Sequence, residues 1–130
     1  MQPMRLLYHP DKKDISLAGV LYALGDPVRL EIVKRLAAHG ELPCAALGCA
    51  ADYAIASEES ANPRLIAKST MSHHFRILRE SGVLYSHKEG TQLINSLRRE
   101  DLDTLFPGLL DTVLQSARQN IRCSNPAHHN

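Results

Sequence analysis

The run from Lys68 to Leu84 constrains the fold more than any other part of the chain: Lys68-Ser69-Thr70-Met71-Ser72-His73-His74-Phe75-Arg76-Ile77-Leu78-Arg79-Glu80-Ser81-Gly82-Val83-Leu84. Met71, Phe75 and Leu78 recur at helical spacing with Ile77 beside them, so this side faces a core. The other side offers Ser69, Thr70, Ser72, His73 and Arg76. Such groups hydrogen-bond phosphates and base edges and bring little redox or hydrolytic chemistry. Ser69 suits an N-cap, and Gly82 suits a helix stop. The spacing predicts an amphipathic helix built to present its polar row to the major groove of duplex DNA.

A chain of 130 residues suits one domain with a modest core. Tryptophan is absent and only 5% of residues are aromatic, so that core must be Leu, Ile, Val and Ala, which favours helices over a sandwich. The formal net charge is only +1, so a nucleic-acid surface here requires charge gathered on one face. Residues 68–99 gather it: Lys68, Arg76, Arg79, Lys88, Arg98 and Arg99 stand against Glu80 and Glu89. No apolar run approaches the roughly 20 residues of a membrane span, and the N-terminus lacks a signal-peptide core. A cytoplasmic location without membrane contact is the expectation. Three cysteines, Cys44, Cys49 and Cys123, are an odd number and argue against a disulfide framework.

Along the chain, residues 1–14 are expected as a flexible arm. Leu17, Val20, Leu21 and Leu24 form a helical stripe ended by Gly25. Asp26-Pro27 restarts a helix, with Asp26 as N-cap and Pro27 at its first position. Val28, Ile32, Val33 and Leu36 form its buried face, Arg29, Lys34 and Arg35 face outward, and Gly40 closes it. Pro43 is expected to open a third helix with Cys44, Leu47 and Ala51 facing inward. Residues 52–65 have no clean period and read as an inserted loop. After Gly82 the period becomes alternating: Val83 to Lys88 and Thr91 to Leu97 flank Glu89-Gly90, as in a β-hairpin. Arg99 to Phe106 is a short helix, Pro107 can open another bearing Leu109, Leu110, Val113 and Leu114, and residues 119–130 read as a polar tail. The predicted architecture is mainly α with a small β-hairpin, α-α-α-(loop)-α-β-β-α, a winged helix-turn-helix domain over residues 15–118.

Three blocks carry a family resemblance. Leu24-Gly25-Asp26-Pro27-Val28-Arg29-Leu30-Glu31-Ile32-Val33 resembles the second-helix opening L-x-D-P-T-R-L-x-I-L of the ArsR/SmtB winged-helix repressors. Ser69 to Val83 resembles their recognition helix S-T-V-S-H-H-L-x-x-L-R-E-A-G-L, and Lys88-Glu89-Gly90 resembles their wing tip. The resemblance implies a transcriptional regulator: a homodimeric repressor joined through its first and last helices. It implies binding to a palindromic double-stranded DNA operator, relieved by an inducer. The family's metal-sensing motif E-L-C-V-C-D-L is not matched. In Glu41-Leu42-Pro43-Cys44-Ala45-Ala46-Leu47 the two thiolate positions are Pro43 and Ala45. The last helix offers Asp103 and Asp111 before and within it but no histidine, so zinc ligation is not implied either. No metal and no cofactor are expected.

The expected DNA-binding set is Lys68, Ser69, Thr70, Ser72, His73, His74, Arg76, Arg79 and Lys88. Adjacent helix positions point about 100° apart, so at least one of His73 and His74 is exposed and the two cannot share a metal. Cys44 and Cys49 are the candidate redox or metal pair. The plainer reading is that each is a small buried hydrophobe. Cys123, His128 and His129 read as incidental ligands on an end segment. Arg98, Arg99, Glu100, Asp101 and Asp103 read as a solvated helix cap with acids at the favourable end of the dipole. No nucleophile–base set or phosphate loop marks an enzyme. A winged-helix protein–protein interaction module without DNA binding is the alternative function. The inducer stays open among a thiol oxidant, a metal, a small organic molecule or none.

Overall fold

A computed structural model describes residues 7–47 and 68–123. Its elements follow from local chemistry. Helix α1 (Leu17–Leu24) starts where the Ser16 hydroxyl accepts the Gly19 N–H at 3.0 Å. Helix α2 (Pro27–His39) starts at Asp26, whose Oδ2 accepts the N–H groups of Val28 and Arg29 at 2.9 and 3.1 Å, with Pro27 in the first turn. Those are donors the helix cannot satisfy itself. Gly40, at φ +90°, ends it.

Among the described residues the start of the third helix expected from Pro43 is replaced by other structure. Glu41–Pro43 forms strand β1, and Cys44–Leu47 forms a single 3₁₀ turn that buries Leu47. Three residues are too few to show a period of two. Proline survives in β1 because that strand is an edge of the sheet, where a missing N–H leaves no ladder bond unmade. Ala51, Cys49 and the expected loop at 52–65 lie outside the described residues.

Helix α3 (Lys68–Glu80) leads through Gly82 into β2 (Leu84–Glu89) and β3 (Gln92–Leu97). Ser69 lies inside the first turn of α3, not before it as an N-cap. The sheet is antiparallel in the order β1-β3-β2, with Pro43 opposite Ile94 and Ser86 opposite Asn95. Gly90 takes φ +66° at the hairpin turn, the twist a two-residue loop demands. Gly82 takes φ +91°, and a Cβ there would come within 2.5 Å of Ile15 Cγ1. Val20, Ile32, Leu36, Met71, Phe75, Leu78 and Leu84 form the buried centre under α1, α2, α3 and the sheet. Each side chain of that size contributes about 1.5–3 kcal/mol by leaving water. Helices α2 and α3 packed together and followed by a hairpin make a winged helix-turn-helix.

Residues 7–14 are not a loose arm. The Ser86 N–H donates to His9 Nε2 at 3.0 Å, Arg98 Nη1 donates to the Pro10 carbonyl at 2.8 Å, and Ile15 is buried against Gly82. The exposed edge of β2 is therefore covered at Ser86, which blunts its capacity to pair with another strand.

Residues 99–130 form a second compact unit, of which α4 (Arg99–Leu105) and α5 (Leu109–Cys123) are described. Pro107 precedes α5 without opening it, and Gly108 makes the turn at φ +82°. Helix α5 continues to Cys123, into the segment expected as a polar tail from residue 119. Arg99 pairs with Asp103 at 3.7 Å and with Asp111, joining α4 to α5. The expected solvated cap is thus also a clasp between two helices. No helix among the described residues is long and apolar enough to cross a membrane.

Candidate nucleic-acid interface

Helix α3 is divided as its sequence requires. Met71, His74, Phe75 and Leu78 are buried, whereas Ser69, Thr70, Ser72, His73 and Arg76 are exposed. Met71 and Leu78 are fully covered, so the helix is held firmly against α1, α2 and β2 while the polar row stays in solvent. Three hydroxyls, an imidazole and a guanidinium offer donors and acceptors on this face, with Ser69, Ser72, His73 and Arg76 related by spacings of three and four residues. Arginine pairs with guanine in two-point fashion, and hydroxyls serve bases or phosphates alike. The Lys68 side chain lies outside the description.

His74 does not belong to that exposed row. It is 9% exposed, and its Nδ1 lies 3.1 Å from Arg29 Nη1. A guanidinium only donates, so Nδ1 is the acceptor and the ring proton sits on Nε2. Burial lowers the pKa of His74 below its ordinary value. The Asp26 carboxylate, 3.9 Å from Nδ1, opposes that shift, and Arg29 and His73 reinforce it. His74 is accordingly neutral at pH 7.

Arg29 explains why. The sequence reading turned it outward, but it is only 7% exposed. Its Nε donates to the Ala23 carbonyl at 2.7 Å and its Nη2 to the Tyr22 carbonyl at 3.3 Å, with the Tyr22 ring 5.2 Å from the guanidinium carbon. The last carbonyls of a helix lack partners within it. Here α1 ends so close to the start of α2 that an arginine in the first turn of α2 can fill that need. Residue periodicity does not carry that information. The signal available was the tight Gly25-Asp26-Pro27 junction, which brings Arg29 back onto α1.

Arg79 is half-buried, which lowers its pKa, and the charges of Cys44, Glu80 and Arg76 also act on it. It also depresses the pKa of His9, second to burial and together with Arg98. Arg79 is thus only partly exposed, unlike the row from Ser69 to Arg76. Lys88 is exposed one residue from Glu89, whose carboxylate lies 3.2 Å from His87 Nε2. Beneath the wing, Ser86 Oγ donates to Asn95 Oδ1 at 2.6 Å, and Asn95 Nδ2 reaches the Leu42 carbonyl at 3.4 Å and Cys44 Sγ at 3.5 Å. This buried polar set, unforeseen in the sequence, ties all three strands together. Cys44 is half-buried in it, and its expected partner Cys49 is outside the described residues. Among the described residues no group of three or more His, Cys, Asp or Glu side chains is placed to hold a metal ion. Pro43 and Ala45 supply no ligand to one.

Known proteins match this arrangement. A helix-turn-helix domain family matches residues 24–86. The uncharacterized HTH-type transcriptional regulator YceK of Bacillus subtilis (strain 168) is 35% identical over 97 residues, 74% of this chain and 84% of the relative. The uncharacterized HTH-type transcriptional regulator MJ1325 of Methanocaldococcus jannaschii is 35% identical over 74 residues, 57% of this chain and 68% of the relative. A crystal structure of an ArsR family transcriptional regulator superposes with a TM-score of 0.52 at 22% identity, covering 81% of this chain and 93% of that one.

Proposed function

The chain belongs to the helix-turn-helix transcriptional regulators and has the winged-helix fold of the ArsR type, and from that premise we propose a homodimeric repressor that reads a palindromic operator through the exposed row of α3. Such a protein acts by binding DNA and not by turnover. The observation that carries the reading is the exposed set Ser69, Thr70, Ser72, His73 and Arg76 on a helix whose opposite face is fully packed. A rigid helix holds side chains to base edges with little ordering cost, so discrimination survives. Lys88 on the wing adds a phosphate contact that fixes register without reading sequence. Lys68, the first residue of α3, belongs to the proposed DNA-binding set. The half-buried Arg79 has a supporting place in this scheme, and His74 has none as a direct contact.

Two-fold assembly is supported by α1, which leaves Leu17, Leu21 and Tyr22 46%, 48% and 65% exposed in the single chain. A row of that kind on a helix calls for a partner surface. Helix α5 carries a second apolar stripe, of which Leu109, Val113 and Leu114 are half-buried and Leu110 is buried in the single chain. An isologous pair presents two copies of α3, which suits an inverted repeat.

Selection of bound sites from a random duplex pool tests the proposal. Enriched sequences are expected to contain inverted half-sites whose centres lie about one turn of DNA, ~34 Å, apart. Recovery of a single unrepeated half-site would refute the paired reading, and no enrichment at all would refute operator binding. No ligand set of a metal sensor is present at Pro43 and Ala45, so relief of repression by a metal bound there is not part of the proposal.

A further inference from the structure

Arg29 touches three elements at once. Its guanidinium holds the last carbonyls of α1 through Nε and Nη2, it springs from the first turn of α2, and Nη1 donates to His74 on α3. Its own backbone N–H is fixed by Asp26. A buried guanidinium with a fixed fork has few alternative poses, because each donor left without an acceptor carries a desolvation cost. The rotation of α3 about its axis is therefore tied to the end of α1 through one polar contact, at the position next to the exposed His73.

We propose that His74 is a positioning residue for DNA reading: through Arg29 it locks the pose of α3 to the end of α1, the helix that bears the exposed apolar row. This rests on the DNA-reading role argued above and assigns a specific task to a residue that does not itself face DNA. The lock requires a lone pair on Nδ1. Protonation removes that lone pair and sets imidazolium against Arg29. The charged and titratable groups acting on the ring are Arg29 and Asp26 from α2 and its border and His73 from α3. Asp26 favours the proton, and the other two and burial oppose it. Acid is thus expected to release the lock.

The test compares the full-length wild type with His74→Asn, whose Oδ1 replaces the Nδ1 acceptor, and His74→Leu, which fills the space without an acceptor. The probes are the selected operator duplex and a random-sequence duplex of equal length. His74→Asn is expected to keep the preference for operator within about threefold, while His74→Leu loses roughly tenfold or more of that preference with random-duplex affinity unchanged. Acidification is expected to erode the wild-type preference and leave that of His74→Asn level. Equal losses in both variants would assign His74 to a direct contact and overturn the proposal, as would a full preference in His74→Leu. In the DNA-free protein, imidazole ¹⁵N shifts should show Nδ1 unprotonated. A proton on Nδ1 overturns the lock itself. An Nδ1 acceptor in a wild type indifferent to both duplexes overturns the DNA role while showing that the Arg29 contact exists.

Discussion

Asp26 carries more than its size suggests. One carboxylate oxygen satisfies two N–H groups at the start of α2 and also faces His74. Asp26→Ala is expected to lower stability by about 1–2 kcal/mol, read as a drop in the urea midpoint at constant slope. Gly82→Ala is expected to be costlier still, because a Cβ would meet both a left-handed backbone and Ile15. Circular-dichroism melting checks it, and an unchanged melting temperature would contradict the Gly82–Ile15 packing. At this level the sequence told which residues face inward on α3, since Met71, Phe75 and Leu78 repeat with the helix. It did not tell that Arg29 and His74 are buried partners. Periodicity assigns a face, but a polar residue on a boundary is placed by what ends next to it, here two carbonyls of α1.

Elements were legible in proportion to their length. The helices and hairpin carry enough repeats to declare their period, and the Glu89–Gly90 turn declares itself by composition. Strand β1 has three residues and a proline, so only its pairing with β3 makes it a strand. The wing depends on His9 in a way that no local pattern announces. His9 Nε2 accepts from Ser86, and burial, then Arg79 and Arg98, lower its pKa from 6.5, while its contact with the Leu7 backbone resists that shift. His74 is lowered from 6.5 as well. For both rings the unfolded chain binds protons more readily than the fold between the depressed value and 6.5. The stability they confer is therefore complete above pH 6.5 and is lost as pH falls through the lower folded value. The melting temperature is expected to fall as pH drops below 6.5, and the slope to flatten in a His9→Gln, His74→Asn double variant. A slope unchanged in the double variant would place the titration elsewhere. On the wing, Lys88→Ala is expected to weaken operator and random duplex alike and to reduce the salt slope by about 1. A loss confined to operator would make Lys88 a base contact instead.

The chain divides into a unit of residues 1–98 and a second unit beginning at Arg99. The exposed Leu17, Leu21 and Tyr22 are the surface that the proposed dimer would cover, and two linked half-sites would multiply affinity without new kinds of contact. Leu21→Asp is expected to shift sedimentation toward the monomer and to weaken operator binding more than half-site binding. A dimer of wild-type strength would exclude α1 from the interface. The fold and the exposed polar face of α3 were both visible in the sequence because helix amphipathicity encodes them together. Pairing and signal were not, since an exposed stripe names no partner and a half-buried Cys44 names no effector. The most direct test is a salt titration of operator binding by the wild type and by Arg76→Ala. A linear fall of log affinity with log salt, and a loss of about tenfold or more on Arg76→Ala that shrinks on random duplex, is the expected result. Affinity indifferent to salt, or equal in both proteins, would show that the exposed row of α3 does not read DNA.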